Sequence, residues 1–330
     1  MKEAFFDALC ELAEENPNIE FIKADAGFNA KYQTTYPKQY LNIGISEQNM
    51  IGVAAGMALE GKTVFAYSLV DFASLRALDQ IRVDVGYNCT NVKIVSCGTG
   101  FDYCDDGVSH IAVDDISALR TVPNLVLFSP CDPYEAYAIT KRAAEIKLPC
   151  FIRLGRGGEP KLHKAPIENY NIGDVLTLKP GQEVMILVTG SIAREALAAS
   201  QRLAKIGINA GVYSFPTISP INTTFIKNAM RDAKMVLTVE EHSLAGGFGA
   251  MTAEVIADAN ICGGAIFKRI GVDYQFATDP EVHSDKLLPG LFYKYSPTLY
   301  MNRQCKLTAD AIVECVKMNL KQGDQKNEKN

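Results

Sequence analysis

Short apolar segments alternate with stretches of helical spacing along this chain, and they do so twice, which leaves few architectures open. IEFIKAD (19–25), TVFAYS (63–68), NVKIVSC (91–97), LVLFSP (125–130) and PCFIRL (149–154) each read as a buried strand. Helical spacing fills 46–59, 72–86, 114–120 and 132–146 between them, and the Asp132-Pro133 pair suits a helix start. That alternation is the pattern of a parallel sheet covered by helices on both faces. After Leu154 it gives way to GRGGEPKLHKAPIENYNIGD, rich in Gly, Pro and charge, which reads as a passage between domains. A second alternation follows, with strands at 183–191, 208–215, 234–242 and 265–272 and helices at 192–206, 222–232 and 247–259. The expected fold class is therefore α/β, two domains, each a mainly parallel sheet covered by helices. Its expected limits are 1–165 for the first domain, 166–182 for a linker, 183–320 for the second domain, and 321–330 for a polar tail that frays.

Composition narrows the functions open to such a chain. At 330 residues it is long enough for two cores. A net charge of −5 with no Lys/Arg cluster argues against a nucleic-acid face. No apolar run approaches the roughly 18–20 residues of a membrane span. The opening MKEAFFDALCELAEEN reads as an amphipathic helix carrying acids rather than as a signal peptide. The nine cysteines are scattered with no C-x-x-C pair, so reduced thiols are expected rather than disulfides or a metal site. Those features together predict a cytoplasmic protein without nucleic-acid or membrane partners.

Several short stretches could carry chemistry. In LNIGISEQNM (41–50) a lone carboxylate, Glu47, stands at the mouth of an apolar segment. Either Ser46 caps a helix and Glu47 sits in its first turn, favoured by the macrodipole, or a desolvated carboxyl there shares a proton with a ligand nitrogen. In FAYSLVDFASLRALDQIR (65–82), Phe72 fits either a core position or an aromatic wall, while Arg76, Asp79 and Gln80 read as groups that knit the helix to its neighbours. GTGFDYCDDGVSH (98–110) brings Asp105, Asp106 and His110 into one loop after a strand, where ligands bind in α/β sheets. FIRLGRGG (151–158) puts Arg153 and Arg156 at a strand end, suited to an anion or to salt bridges. EEHSLAGGFG (240–249) either aims His242 at a cleft or forms a strand-to-helix turn, and the turn is the favoured reading. Neither a dinucleotide fingerprint nor a P-loop occurs.

Taken in order, these stretches resemble one family. NIGISEQNMIGVAAGMALEG is similar to the pyrimidine-domain signature of the thiamine-diphosphate-dependent transketolases and their relatives. FAYSLVDFASLRALDQIR resembles the aromatic segment that follows it, DDGVSH the family's D-G-x-[ST]-H loop, and FIRLGRG the strand and arginine that close the domain. Residues 4–160 carry the resemblance strongly, and 180–320 resemble the family's C-terminal domain more loosely. The resemblance implies that Glu47 hydrogen-bonds N1′ of the cofactor's aminopyrimidine and helps to ready its C2 carbon. It implies that Phe72 stacks on that ring, with Leu69 in place of a second aromatic. Asp106 then reads the hydroxyl beside a ketose carbonyl, His110 bonds the donor's oxygens, and Arg156 binds phosphate. Asp25 and Asn29 fall where the domain meets cofactor and substrate.

The chain departs from the family in two places. Gly98 stands where common transketolases carry a further phosphate-binding histidine. No G-D-G segment occurs, although the family binds Mg²⁺ and the diphosphate through one, and a hard cation needs such oxygen ligands. The resemblance therefore implies the C-terminal subunit of a split transketolase. Thiamine diphosphate would be its cofactor, the Mg²⁺ ligands would lie on an N-terminal partner subunit in an α2β2 assembly, and its substrates would be sugars or sugar phosphates. Three alternatives remain open: the β subunit of a 2-oxoacid dehydrogenase E1, a deoxyxylulose-phosphate-synthase-like enzyme, and a scaffold homologue that has lost catalysis.

Overall fold

The computed structural model describes residues 1–26, 30–261, 264–273 and 306–327, which form two compact units. The first comprises Met1–Asp174 and Pro216–Pro220, and the second the rest. In the first, the strands are β1 (Ile19–Lys23), β2 (Tyr40–Asn42), β3 (Thr63–Leu69), β4 (Val92–Cys97), β5 (Val126–Phe128) and β6 (Cys150–Leu154). The helices are α1 (Lys2–Glu15), α2 (Ala30–Thr35), α3 (Glu47–Leu59), α4 (Val70–Ala73), α5 (Leu78–Gln80), α6 (Asp115–Leu119) and α7 (Pro133–Glu145).

β4 and β6 are buried along their whole length and β3 in all but its last residue. A strand covered on both faces must be apolar on both sides, which is why these stretches read as unbroken apolar runs. The sheet order is β10-β5-β6-β4-β3-β1-β2, parallel throughout except at its edge. There β10 (Thr217–Ser219) pairs antiparallel with β5. Phe5 and Phe6 of α1 pack against Phe21, Phe65 and Tyr67 and weld that helix to the sheet. α7 starts where the sequence places it. The Asp132 carboxylate accepts from Glu135 N at 2.9 Å, and Glu135 reaches back to accept from Cys131 N at 2.7 Å, a reciprocal cap.

The second unit holds β7 (Leu176–Lys179), β8 (Val184–Thr189), β9 (Ala210–Ser214), β11 (Met235–Ser243) and β12 (Ile266–Val272) in the order β12-β11-β8-β9-β7. All neighbours are parallel except β7 and β9. Helices α8 (Ala193–Ala204), α9 (Thr223–Asp232), α10 (Phe248–Asp258) and α11 (Ala309–Asn327) accompany it. Leu187, Phe215, Ile226, Val236 and Phe248 anchor its core.

Three expectations are corrected. Residues 72–86 form not one helix but α4, a 3-10 turn (Leu75–Ala77), α5 and a π-helical turn (Ile81–Tyr87). The wide turn lets Gly86 lie where a Cβ would stand only 2.5 Å from Val122 Cγ1. The stretch read as linker contains β7, and the two units divide between Asp174 and Val175. The tail read as frayed continues as helix through Asn327. Among the described residues no helix is long and apolar enough to cross a membrane.

Candidate active site

The parallel strands of the first unit direct their C-terminal ends to one edge, and the polar residues singled out in the sequence collect along it. Glu47 opens α3 and is buried, its side chain 3% exposed. Ser46 stands at the N-cap, but its hydroxyl donates to Ile43 O at 3.0 Å instead of capping the helix. Two side chains hold the Glu47 carboxylate. Ser68 Oγ, near the end of β3, donates to Oε1 at 3.3 Å, and Arg76 Nη1 donates to Oε2 at 2.9 Å.

Arg76 stands in the 3-10 turn just beyond Phe72, and its Cζ lies 3.9 Å from the centroid of the Phe72 ring. The same ring meets His110 edge to face at 5.0 Å. Glu47, Arg76, Phe72 and His110 thus form one contiguous group. Arg76 was legible in the sequence only as a residue knitting helices together. Nothing in its spacing predicts the pairing with Glu47, because that depends on the break in the helix.

The loop from Phe101 to His110 carries the second part of the site. Arg156 donates through its backbone N to Asp102 Oδ2 at 2.9 Å and through Nη1 to Asp102 O at 3.2 Å. Its guanidinium also lies 3.8 Å from Asp105 Oδ1 and 4.7 Å from the Tyr103 ring centroid. Asp106 is exposed at the end of a 3-10 turn, and Ser109 Oγ lies 3.0 Å from His110 Nδ1. Gly98 is required where it stands. Its φ is +95°, and a Cβ there would fall 2.1 Å from the Tyr103 ring. The ring fills the space that any side chain at position 98 would need.

Leu69 ends β3, half-buried. Asp25 follows β1, exposed, with its carboxylate accepting from Asn42 Nδ2 at 3.1 Å. Asn29 lies outside the described residues. Asp71, next to Phe72, carries no signal in the sequence that would mark it. Its Oδ1 is buried with no hydrogen-bond partner among the described residues. Burial, then the nearby Asp115 and Asp114, push its carboxyl up to about 7 against the pull of Arg153. Arg153 itself is spent on a buried pair with Asp115, Nε to Oδ2 at 2.8 Å, so it serves structure rather than an anion.

Two further clusters hold polar side chains, one in each unit. Cys131, Glu135 and His163 bring one potential ligand atom each within 4.8 Å of one another. Glu135 is already committed there, accepting from Cys131 N and lying 2.8 Å from His163 Nε2, so the group reads as an anchor for the loop over α7. In the second unit, His242 is buried with Nδ1 2.9 Å from Ser243 O, and Glu240 accepts from the N–H groups of Phe248 and Gly249 at the start of α10. Cys10, Cys89, Cys97, Cys104, Cys131, Cys150 and Cys315 form no disulfide among the described residues.

Comparison with known proteins bears on this fold and edge. The family model of the transketolase pyrimidine-binding domain matches residues 1–160, and that of the transketolase C-terminal domain matches residues 173–275. The chain belongs to the transketolase family, whose members depend on thiamine diphosphate. More narrowly, it is 36% identical over 292 residues to a putative transketolase C-terminal section of Methanocaldococcus jannaschii, covering 87% of this chain and 90% of that protein. It is 35% identical over 240 residues to one subunit of the apulose-4-phosphate transketolase of Actinobacillus succinogenes, covering 72% and 77%. A solved split gene transketolase, an inactive beta4 tetramer, superposes with a TM-score of 0.81 at 32% identity over 96% of each chain.

Proposed function

We propose that this chain is the C-terminal subunit of a split, thiamine-diphosphate-dependent transketolase that moves a two-carbon ketol unit from a ketose to an aldose. The observation that carries the reading is Glu47, a buried carboxylate at the strand-end edge that shares one planar cation with the face of Phe72. A carboxylate and a phenyl face that together hold a guanidinium also suit a protonated aminopyrimidine, so these residues fit the cofactor's pyrimidine end. When bound, the cofactor supplies the carbon nucleophile that ketol transfer requires.

The chain's own residues take the following parts. Glu47 Oε2 holds the proton at N1′ while Ser68 fixes Oε1. Phe72 and Leu69 would wall the ring and Asp25 would border the cofactor, and the family resemblance assigns Asn29 to the substrate. On the sugar side, Asp106 selects the hydroxyl next to the carbonyl, His110 bonds the donor's oxygens, and Arg156 takes the substrate's anion in place of Asp105. The Actinobacillus succinogenes relative, whose name pairs a ketose phosphate with an enzyme made of subunits, supports a phosphorylated donor and a partner chain.

That partner would be an N-terminal subunit bringing Mg²⁺ and the diphosphate site, joined in an α2β2 assembly in the cytoplasm. The apolar side chains of Ile45, Leu59 and Tyr87, 77%, 70% and 65% exposed around α3 and the π-turn, support a contact with another chain. The test is Glu47→Gln in the assembled enzyme, read by deuterium exchange at the cofactor's C2 and by ketol-transfer turnover. An amide cannot hold the proton at N1′, so both rates should fall by about 10²–10⁴-fold. Wild-type exchange in the mutant refutes the assignment.

A further inference from the structure

Arg76 makes two contacts that a single ligand ring would also make. Its Nη1 donates to Glu47 Oε2 at 2.9 Å, and its guanidinium lies close enough over Phe72 to bring Cζ within 3.9 Å of the ring centroid. A planar, nitrogen-bearing cation therefore already covers the carboxylate and the aromatic face assigned above to the cofactor's pyrimidine. Glu47 Oε1 is engaged by Ser68, which leaves Oε2 as the oxygen that an incoming nitrogen must take. Glu47 is 3% exposed, and without the arginine its charge would be buried with one neutral hydrogen bond, a costly state.

Arg76 is placed to let go. Its side chain is 43% exposed, and it rises from a short 3-10 turn between two short helices rather than from the middle of a packed one. An arginine with that much access to water gains hydration when it moves outward, and Glu47 and Phe72 belong to α3 and α4, outside the turn that carries it.

We infer that Arg76 is a displaceable placeholder, a residue that fills the aminopyrimidine seat in the free chain and must leave Glu47 and Phe72 before a planar nitrogen heterocycle can bind. The inference rests on the function proposed above and adds the regulation of its first step: cofactor capture competes with an internal ion pair. Each of the two arginine contacts, at a half-exposed site, is worth a factor of about two to five in an equilibrium. Removing both should tighten binding of the heterocycle by about four- to twenty-five-fold, by the arithmetic of a state freed from a competing conformer.

The experiment uses the full chain and thiamine without diphosphate or Mg²⁺, so that only the pyrimidine end is probed, with affinity read by saturation-transfer NMR. Arg76→Ala should bind thiamine about four- to twenty-five-fold more tightly than wild type. Arg76→Lys keeps the charge but loses the planar face, so it should gain about two- to fivefold and serves if the alanine variant does not fold. Unchanged or weaker binding in a folded Arg76 variant overturns the placeholder. Glu47→Ala separates the two claims. Binding that depends on Glu47 but ignores Arg76 sinks the placeholder alone. Binding that is absent throughout, or indifferent to Glu47, sinks the pyrimidine seat and the placeholder with it.

Discussion

Asp71 should make the protein less stable as pH rises across the neutral range, and removing its charge should abolish that loss. The residue precedes Phe72 on α4, with Oδ1 buried and unpartnered among the described residues. Burial first, then the Asp115 and Asp114 charges, lift its carboxyl from an aspartate's ordinary 3.8 to about 7. Between those values the folded chain keeps a proton that the unfolded chain has released, so stability falls as pH rises through that window. The contribution is fully present below pH 3.8 and is lost as pH passes about 7. At 1.36 kcal/mol per pH unit the interval corresponds to about 4 kcal/mol, and screening at a half-buried site reduces it to about 2 kcal/mol.

Asp71→Asn keeps the shape and removes the ionisation. The mutant should match wild type near pH 4 and exceed it by about 2 kcal/mol at pH 8, a rise of about 4–8 °C in the unfolding midpoint for a unit of this size. Urea and thermal unfolding of both proteins at intervals from pH 5 to 8.5 measure the difference. Parallel stability curves, or a mutant weaker than wild type at pH 8, refute the reasoning.

Two further outcomes follow from the same geometry. Gly98→Ala should cost about 2–4 kcal/mol, because the new methyl strikes the Tyr103 ring and the residue is held at a φ of +95°; a chemical-denaturation midpoint equal to wild type contradicts the packing described. His163→Gln tests the anchor over α7. Burial opposes the charged imidazole, but Glu135 and then Asp132 outweigh it and the net shift is upward, so the pair's stabilisation is present below pH 6.5 and fades as pH climbs through the raised value. Relative to wild type, the glutamine variant should lose stability at pH 6 and little at pH 9, and a pH-independent difference in unfolding free energy counts against the ion pair.

Much of the fold was legible because the central strands are buried on both faces and so appear as continuous apolar runs, as in TVFAYS and NVKIVSC. β2, β7 and β10 were not legible. Each is only three or four residues long and lies at the edge of its sheet, where pattern carries little weight. The site was legible in its parts and not in its connections. Glu47, Phe72 and His110 stand out in their motifs, yet the arginine that binds the first two is 29 residues from Glu47 and reaches it only because the helix is interrupted. Asp71 looked like one more acid on a helix, since its solitude follows from what packs around it.

The antiparallel edge of the first sheet has a consequence for how such a chain can be cut or shuffled. β10 is encoded after β9, inside the sequence of the second unit, yet it closes the first unit's sheet. Thr217 Oγ1 meets the Tyr170 hydroxyl at 2.5 Å, and Ser129 N donates to Pro216 O at 2.8 Å. A gene fragment ending at the boundary near residue 174 therefore yields a first unit with β5 as a bare edge, open to pairing with whatever strand comes near. The two units are separate bodies but not separate cassettes, and recombination that respects the apparent boundary leaves one of them unfinished.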